Sequence, residues 1–280
     1  MAYEHEIPKG SRLYFGASAA LKREIENKAS QILSAKGYEE IVTPHFSYEQ
    51  HQSIDGEREL IRFGDVSNNT IALRADSTLD VVRLITSRLG RSTDHKKWFY
   101  IQPIFKYPAN EQYQIGIEDI GSLDLGDKLQ DVIAIFQKLD IKPTIQISNI
   151  KIPQLIAEAL GVEYKDLGSN NLEVLLNIES DWLKELIYVH TVEDAKKVLS
   201  IVPDDIKAEL EKLITLCEKL EYENLVIAPL YYAKMKYYDS LFFRAFIGNN
   251  VVARGGIYED QGLSSCGAAL YTDNIIEEMI

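Results

Sequence analysis

The chain has 280 residues, 46% hydrophobic and 26% charged, the composition of a soluble globular protein with one large domain or two smaller ones. A net charge of -13 and a pI near 4.9 exclude a surface that tracks phosphates, because the basic residues do not cluster. Met1 to Arg12 is charged rather than apolar, no apolar run reaches membrane-spanning length, and the five histidines lack metal-ligand spacing. Cys217 and Cys266 lie far apart, as free thiols in a reducing cytoplasm would.

Residues 17–36 have helical spacing, with Leu21, Ile25, Ala29, Ile32 and Leu33 on one stripe and Gly37 placed as a C-cap. Residues 38–43 turn into a short strand that Pro44 ends, since proline cannot donate to a ladder. Residues 60–63 and 70–74 read as two strands joined by a turn at 64–69. Ser77 or Thr78 is placed to cap the helix that carries Val81, Val82, Leu84 and Ile85. An aromatic-rich strand follows at 98–105, then a link at 108–113.

The stretch Gln114-Ile115-Gly116-Ile117-Glu118-Asp119-Ile120-Gly121 alternates with a period of two. Ile115 and Ile117 belong to a core. Gln114, Gly116 and Glu118 form the other face, with the outer two about 13 Å apart at a strand rise of about 3.3 Å per residue. Either this face is wet, as on many antiparallel strands, or it is a pocket floor that Gly116 leaves open between two polar side chains. Such a floor would hold the two ends of a small zwitterion.

Residues 127–139 read as an amphipathic helix and 144–150 as a strand. Helical patterns then dominate 151–223, as at 193–199 and 204–220, before strands return at 225–228, 241–247, 251–256 and 264–270. The helical segment 151–223 therefore looks inserted between two halves of one antiparallel sheet. The expectation is a single core domain over 1–280 of the α+β class, flanked by helices.

Several stretches resemble class II aminoacyl-tRNA synthetases. Residues 37–44 resemble motif 1, the dimer-forming helix and strand of that class. Leu73-Arg74-Ala75-Asp76-Ser77-Thr78, followed by Arg83, is similar to an element of histidyl-tRNA synthetase. Phe105-Lys106 and Gln114-x-Gly116-x-Glu118-x-x-Gly121 resemble the two ends of its motif 2. Tyr237-Tyr238 with Phe242 or Phe243, and Gly255-Gly256-Ile257-Tyr258, resemble parts of its histidine pocket. The resemblance runs in order over residues 17–267. It implies that Asp76, Thr78 and Gln114 face a ligand α-ammonium, and that Glu118, Tyr238 and Tyr258 face an imidazole. The chemistry agrees, because an ammonium needs acceptors and an imidazole N–H needs a carboxylate or phenol oxygen. Each also has a structural role open to it. Asp76 and Thr78 suit a helix start, Tyr238 and Tyr258 suit a sheet, and Glu118 suits a solvated strand.

The resemblance fails where adenylation would need cations on phosphates. Lys106 stands where the synthetase motif has arginine, the 108–113 link has no cation, and Ala233-Lys234-Met235-Lys236 lacks the arginine expected before the tyrosine pair. No lysine or arginine follows Arg254. An anticodon-binding region is also not expected, nor any nucleic-acid partner, given the negative charge.

This pattern is similar to the ATP phosphoribosyltransferase regulatory subunits, a synthetase-like family without adenylation chemistry. The resemblance implies no catalytic residue, no cofactor and a cytoplasmic place. It implies L-histidine as ligand and a homodimer, through residues 17–44, inside a hetero-oligomer with the short-form catalytic subunit. That complex makes the first step of histidine biosynthesis and is inhibited by histidine. Two other readings stand beside it: a diverged amino-acid-activating ligase, and an interaction protein that kept only the fold. Arg74 and Arg83 are expected in structural ion pairs rather than on a ligand carboxylate.

Overall fold

In the computed structural model, residues 6–49, 60–167, 177–231, 238–260 and 262–280 are described. The chain divides into one unit of residues 1–121 with 267–280 and another of residues 122–266. The expected loop at 233–236, and Tyr237 beside it, lie outside the described residues.

The first unit runs through α1 (Gly16–Ala35), β1 (Glu39–Glu40), β2 (Phe46–Tyr48), β3 (Arg62–Gly64), β4 (Thr70–Leu73), α2 (Ser77–Ser87), β5 (Lys97–Lys106) and β6 (Asn110–Asp119). Of the stripe read on α1, Ile25, Ala29 and Leu33 are fully buried. Each such side chain withdrawn from water contributes about 1.5–3 kcal/mol, or less for alanine. Gly37 closes the helix at φ +84°, the left-handed conformation that suits glycine. The turn between β3 and β4 is held by Asp65, whose Oδ1 accepts from Ser67 N and Asn69 N at 2.8 Å each.

Three features of this unit differ from expectation. The helix cap is Asp76, whose Oδ1 accepts from Leu79 N at 3.1 Å, so neither Ser77 nor Thr78 has that role. A carboxylate one residue earlier takes the cap because Asp76 is the last residue in extended conformation. The link read at 108–113 is shorter, because β6 begins at Asn110 and pairs back to Lys106. Lys22, which forms a short basic pair with Arg23 on a helix and so reads as solvated, lies over the Tyr113 ring at 4.0 Å and pairs with Glu26.

The second unit holds α3 (Leu125–Leu139), β7 (Thr144–Asn149), α4 (Lys151–Leu160), the helices Asp181–Ile187, Val192–Val198 and Asp204–Glu218, then β8 (Leu225–Ile227), β9 (Tyr238–Ile247) and β10 (Asn250–Asp260). β11 (Leu263–Tyr271) carries the chain back, and the first unit ends in the helix Thr272–Met279.

Within the first unit, β5 and β6 pair antiparallel from Lys97↔Asp119 to Lys106↔Asn110, while β1 runs parallel to β5. In the second, β10, β9 and β7 pair antiparallel in that order and β8 runs parallel to β7. The sheet is therefore mixed, antiparallel at its centre as expected, with parallel neighbours that two- and three-residue strands were too short to announce. The apolar face carries Phe99, Ile115 and Ile117 in the first unit, and Ile147 and Phe243 in the second, all at most 1% exposed. No helix among the described residues is long and apolar enough to cross a membrane.

Candidate functional site

β6 is not a strand with one wet face. Every residue from Gln114 to Asp119 is buried, so the Gln114–Gly116–Glu118 face lies inside the protein with the apolar one. Register fixes what faces it: Trp98 opposes Glu118, Tyr100 opposes Gly116, and Gln102 opposes Gln114. Gly116 is required there, because three atoms of the Tyr100 ring occupy the space a Cβ would take. The floor is thus covered by a phenol rather than open.

Tyr100 is fully buried, and its hydroxyl shares a hydrogen bond of 3.2 Å with Thr78 Oγ1. Burial, then the charge of Glu118, pushes this phenol well above its ordinary pKa, so it remains protonated at neutral pH. Asp76 adds to the same shift. Tyr100 accordingly sits among Asp76, Thr78 and Glu118, three of the residues singled out by sequence. Glu118 is itself 0% exposed, and its carboxylate lies against the backbone of Gly267, where a Cβ would stand 2.8 Å from Glu118 Cδ. Gln114 is 7% exposed, with a long contact of 3.5 Å to Gln112 Oε1. Burial raises the Asp76 carboxyl, and the helix amide of Leu79 works against that rise.

Arg74 has the structural role expected of it, by a different means. Its buried guanidinium donates to Thr43 O at 3.0 Å, Thr43 Oγ1 at 2.9 Å, Pro44 O at 3.0 Å and Pro103 O at 2.7 Å. Backbone oxygens and the Thr43 hydroxyl take the hydrogen bonds that acidic neighbours were expected to accept. Arg83 does pair with an acid, Asp80 Oδ1 at 2.9 Å.

In the second unit, Tyr238 and Tyr258 are register partners across β9 and β10. Tyr258 is 1% exposed. Tyr238 is half-buried and stacks on Phe242 with ring centroids 5.7 Å apart. Gly256 repeats the device of Gly116: a Cβ there would stand 2.5 Å from Tyr238 Cδ1 and 2.7 Å from Phe242 Cβ. The expected residues thus fall as four in the first unit and two in the second. Sequence reading passed over Tyr100. The signal was present, as a tyrosine alternating with Trp98 and Gln102 that pairs with a glycine on the next strand.

The histidyl-tRNA synthetase family model matches residues 14–275. A protein of Wolinella succinogenes described as an ATP phosphoribosyltransferase regulatory subunit is 50% identical over 277 residues, 99% of this chain and 96% of that protein. The chain belongs to the histidyl-tRNA synthetase family and, within it, to these regulatory subunits. A regulatory subunit of Helicobacter hepaticus is 42% identical, covering 99% of both chains. A crystal structure from Bacillus halodurans, described as an ATP phosphoribosyltransferase regulatory subunit/histidyl-tRNA synthetase, superposes with a TM-score of 0.87 at 19% identity, covering 100% of this chain and 84% of that one. That likeness establishes the class II synthetase fold of these regulatory subunits, a mixed sheet flanked by helices.

Proposed function

We propose that this protein is a non-catalytic, histidine-binding regulatory subunit of a cytoplasmic ATP phosphoribosyltransferase. The observation that supports histidine binding is the buried polar face of β6, where Glu118 and Gln114 flank Tyr100 and Thr78. A buried carboxylate is a strong acceptor, and a protonatable imidazole is well suited to donate to it. Asp76, Thr78 and Gln114 are the acceptors proposed for the α-ammonium. On the resemblance, Tyr238 and Tyr258 are proposed as further imidazole partners.

The partnership rests on near-full-length identity to regulatory subunits. A subunit without adenylation arginines has a conformational output, and a ligand shifts such an equilibrium only by binding one state better. Coupling of this kind is about 1–3 kcal/mol and reciprocal. The 17–44 region is proposed as the homodimer contact within the hetero-oligomer.

Calorimetric titration of the isolated protein should show histidine binding that Glu118→Gln and Tyr258→Phe each weaken about ten-fold or more, since a hydrogen bond to a charged group contributes about 1.5–3 kcal/mol. With the co-expressed short-form catalytic subunit, this protein should accelerate phosphoribosyl-ATP formation and histidine should suppress it. Glu118→Ala should blunt the suppression while leaving activation. Histidine- and ATP-dependent pyrophosphate exchange would instead establish the ligase reading. Folded protein with no saturable histidine binding would leave only the interaction role.

A further inference from the structure

The face of the second unit's sheet that carries Phe242 and Gly256 also holds a closed ring of contacts, none of them yet given a function. β7 and β9 set Gln146 opposite Arg244 and, two residues along, Ser148 opposite Phe242. All four lie on the face opposite to Ile147 and Phe243.

Gln146 is buried and uses both ends of its amide. Its Nε2 donates to Ser148 Oγ at 3.1 Å, and its Oε1 accepts from Arg244 Nη2 at 2.7 Å. The guanidinium carbon of Arg244 lies 4.0 Å from the centre of the Tyr231 ring. Tyr231 packs on Phe242 with ring centroids 5.3 Å apart. Phe242 is the register partner of Ser148, so the ring closes there. From Phe242 the contact passes to Tyr238, whose ring is stacked on it with the planes 10° apart. Gly256 leaves the room that the Tyr238 ring fills, since a Cβ would stand 2.5 Å from Tyr238 Cδ1.

Packing alone does not call for an arginine at this place. Burial lowers the Arg244 pKa from its ordinary value, and Nε is enclosed with no hydrogen-bond partner among the described residues. An apolar side chain would fill the space without that cost. It would lack direction, however. The guanidinium is planar and stays charged, so one edge donates to Gln146 while the group holds the Tyr231 ring.

We propose that Arg244 is a positioning residue of the histidine site, which through Tyr231 and Phe242 fixes the angle at which Tyr238 meets the imidazole. This assignment rests on Tyr238 being an imidazole partner, as proposed above. Arg244 acts without touching the ligand. A hydrogen bond weakens steeply as its angle is lost, so a Tyr238 ring free to tilt holds histidine less well.

The test is a double-mutant cycle on the full chain, with L-histidine titrated by calorimetry and the melting temperature of each variant recorded. Tyr238→Phe keeps the stacked ring, removes the hydroxyl and should weaken binding about ten-fold. Arg244→Met should weaken it about three- to ten-fold, and in the Tyr238→Phe background by less than about two-fold. Arg244→Lys keeps the charge but not the planar fork, so its loss should be intermediate. Tyr231→Leu breaks the same path without removing the arginine, should give the same pattern, and serves if the methionine variant does not fold. Unchanged histidine affinity in both Arg244→Met and Tyr231→Leu overturns the proposal. So does an equal loss with and without the Tyr238 hydroxyl, the mark of a merely structural role. Failure of the underlying reading looks different: wild type then binds no histidine, or Tyr238→Phe binds it as tightly as wild type, and the positioning role falls with it.

Discussion

Replacing Gly256 by alanine tests the tightest approach in the second unit. The added Cβ would stand 2.7 Å from Phe242 Cβ, and 2.5 and 2.8 Å from two atoms of the Tyr238 ring. Gly256 and Phe242 are register partners, and such Cβ atoms normally sit about 4.5–5.5 Å apart. A register shift just beyond Gly256 accompanies the approach. Phe242 is 2% exposed, and its Cβ is fixed to the backbone, so it cannot swing away. The strands must therefore part by about 1 Å to restore ordinary carbon contact near 3.5–4.0 Å. Overpacking of this kind costs about 1–3 kcal/mol. Gly256 is not at positive φ, so alanine also gains about 0.4–1 kcal/mol from a stiffer unfolded chain. The expected net loss is about 1–2 kcal/mol, read by urea denaturation at unchanged m-value. Tyr238→Ala removes two of the three contacts, so the double variant should recover about 0.5–1 kcal/mol relative to additivity. A Gly256→Ala protein as stable as the parent, or strict additivity, would refute the reasoning.

Arg74→Met should cost about 3 kcal/mol or more by the same measurement, because it strips several buried oxygens of their donor. Asp76→Ala should lose about 1 kcal/mol of capping, whereas Asp76→Asn keeps an acceptor and should lose only histidine affinity. The folded pKa of Asp76 lies above its unfolded value, so its ionised form is the costly one in the native state. Wild type should therefore gain stability relative to Asp76→Asn as pH falls from neutral through that raised pKa; wild type losing stability relative to Asp76→Asn over that range would contradict the assignment. Cys217 is 4% exposed and burial pushes its thiol up to about 12. At pH 8 about one thiol in ten thousand is ionised, so alkylation should require unfolding; rapid labelling of the native protein would disprove the burial.

The long elements were legible because their periodicity is strong. Helix α1 and strands β5, β6, β9 and β10 all appear within a few residues of where the spacing placed them. Legibility failed where the deciding force is tertiary. The parallel pairing of β1 and β8 depends on neighbours distant in sequence, and each strand is too short to show alternation. The helix Thr272–Met279 carries Asp273, whose buried carboxylate accepts from Tyr113 N at 2.8 Å and from the Tyr14 hydroxyl, and nothing local announces those partners. At the candidate site the residue types were readable, but their enclosure was not. Alternation alone cannot tell a wet polar face from a covered one, and Tyr100 becomes visible only once register sets it over Gly116.

The split of the first unit in sequence has a consequence for biosynthesis. Residues 122–266 form a contiguous stretch and can close their contacts as soon as they leave the ribosome, whereas residues 1–121 must wait for 267–280. Asp273 shows the size of the wait: its partners Tyr14 and Tyr113 precede it by 259 and 160 residues. Contacts of such long range are slow to form. For most of translation the N-terminal helix and the start of β6 are exposed without the segment that completes them, the period in which a nascent chain depends most on chaperones.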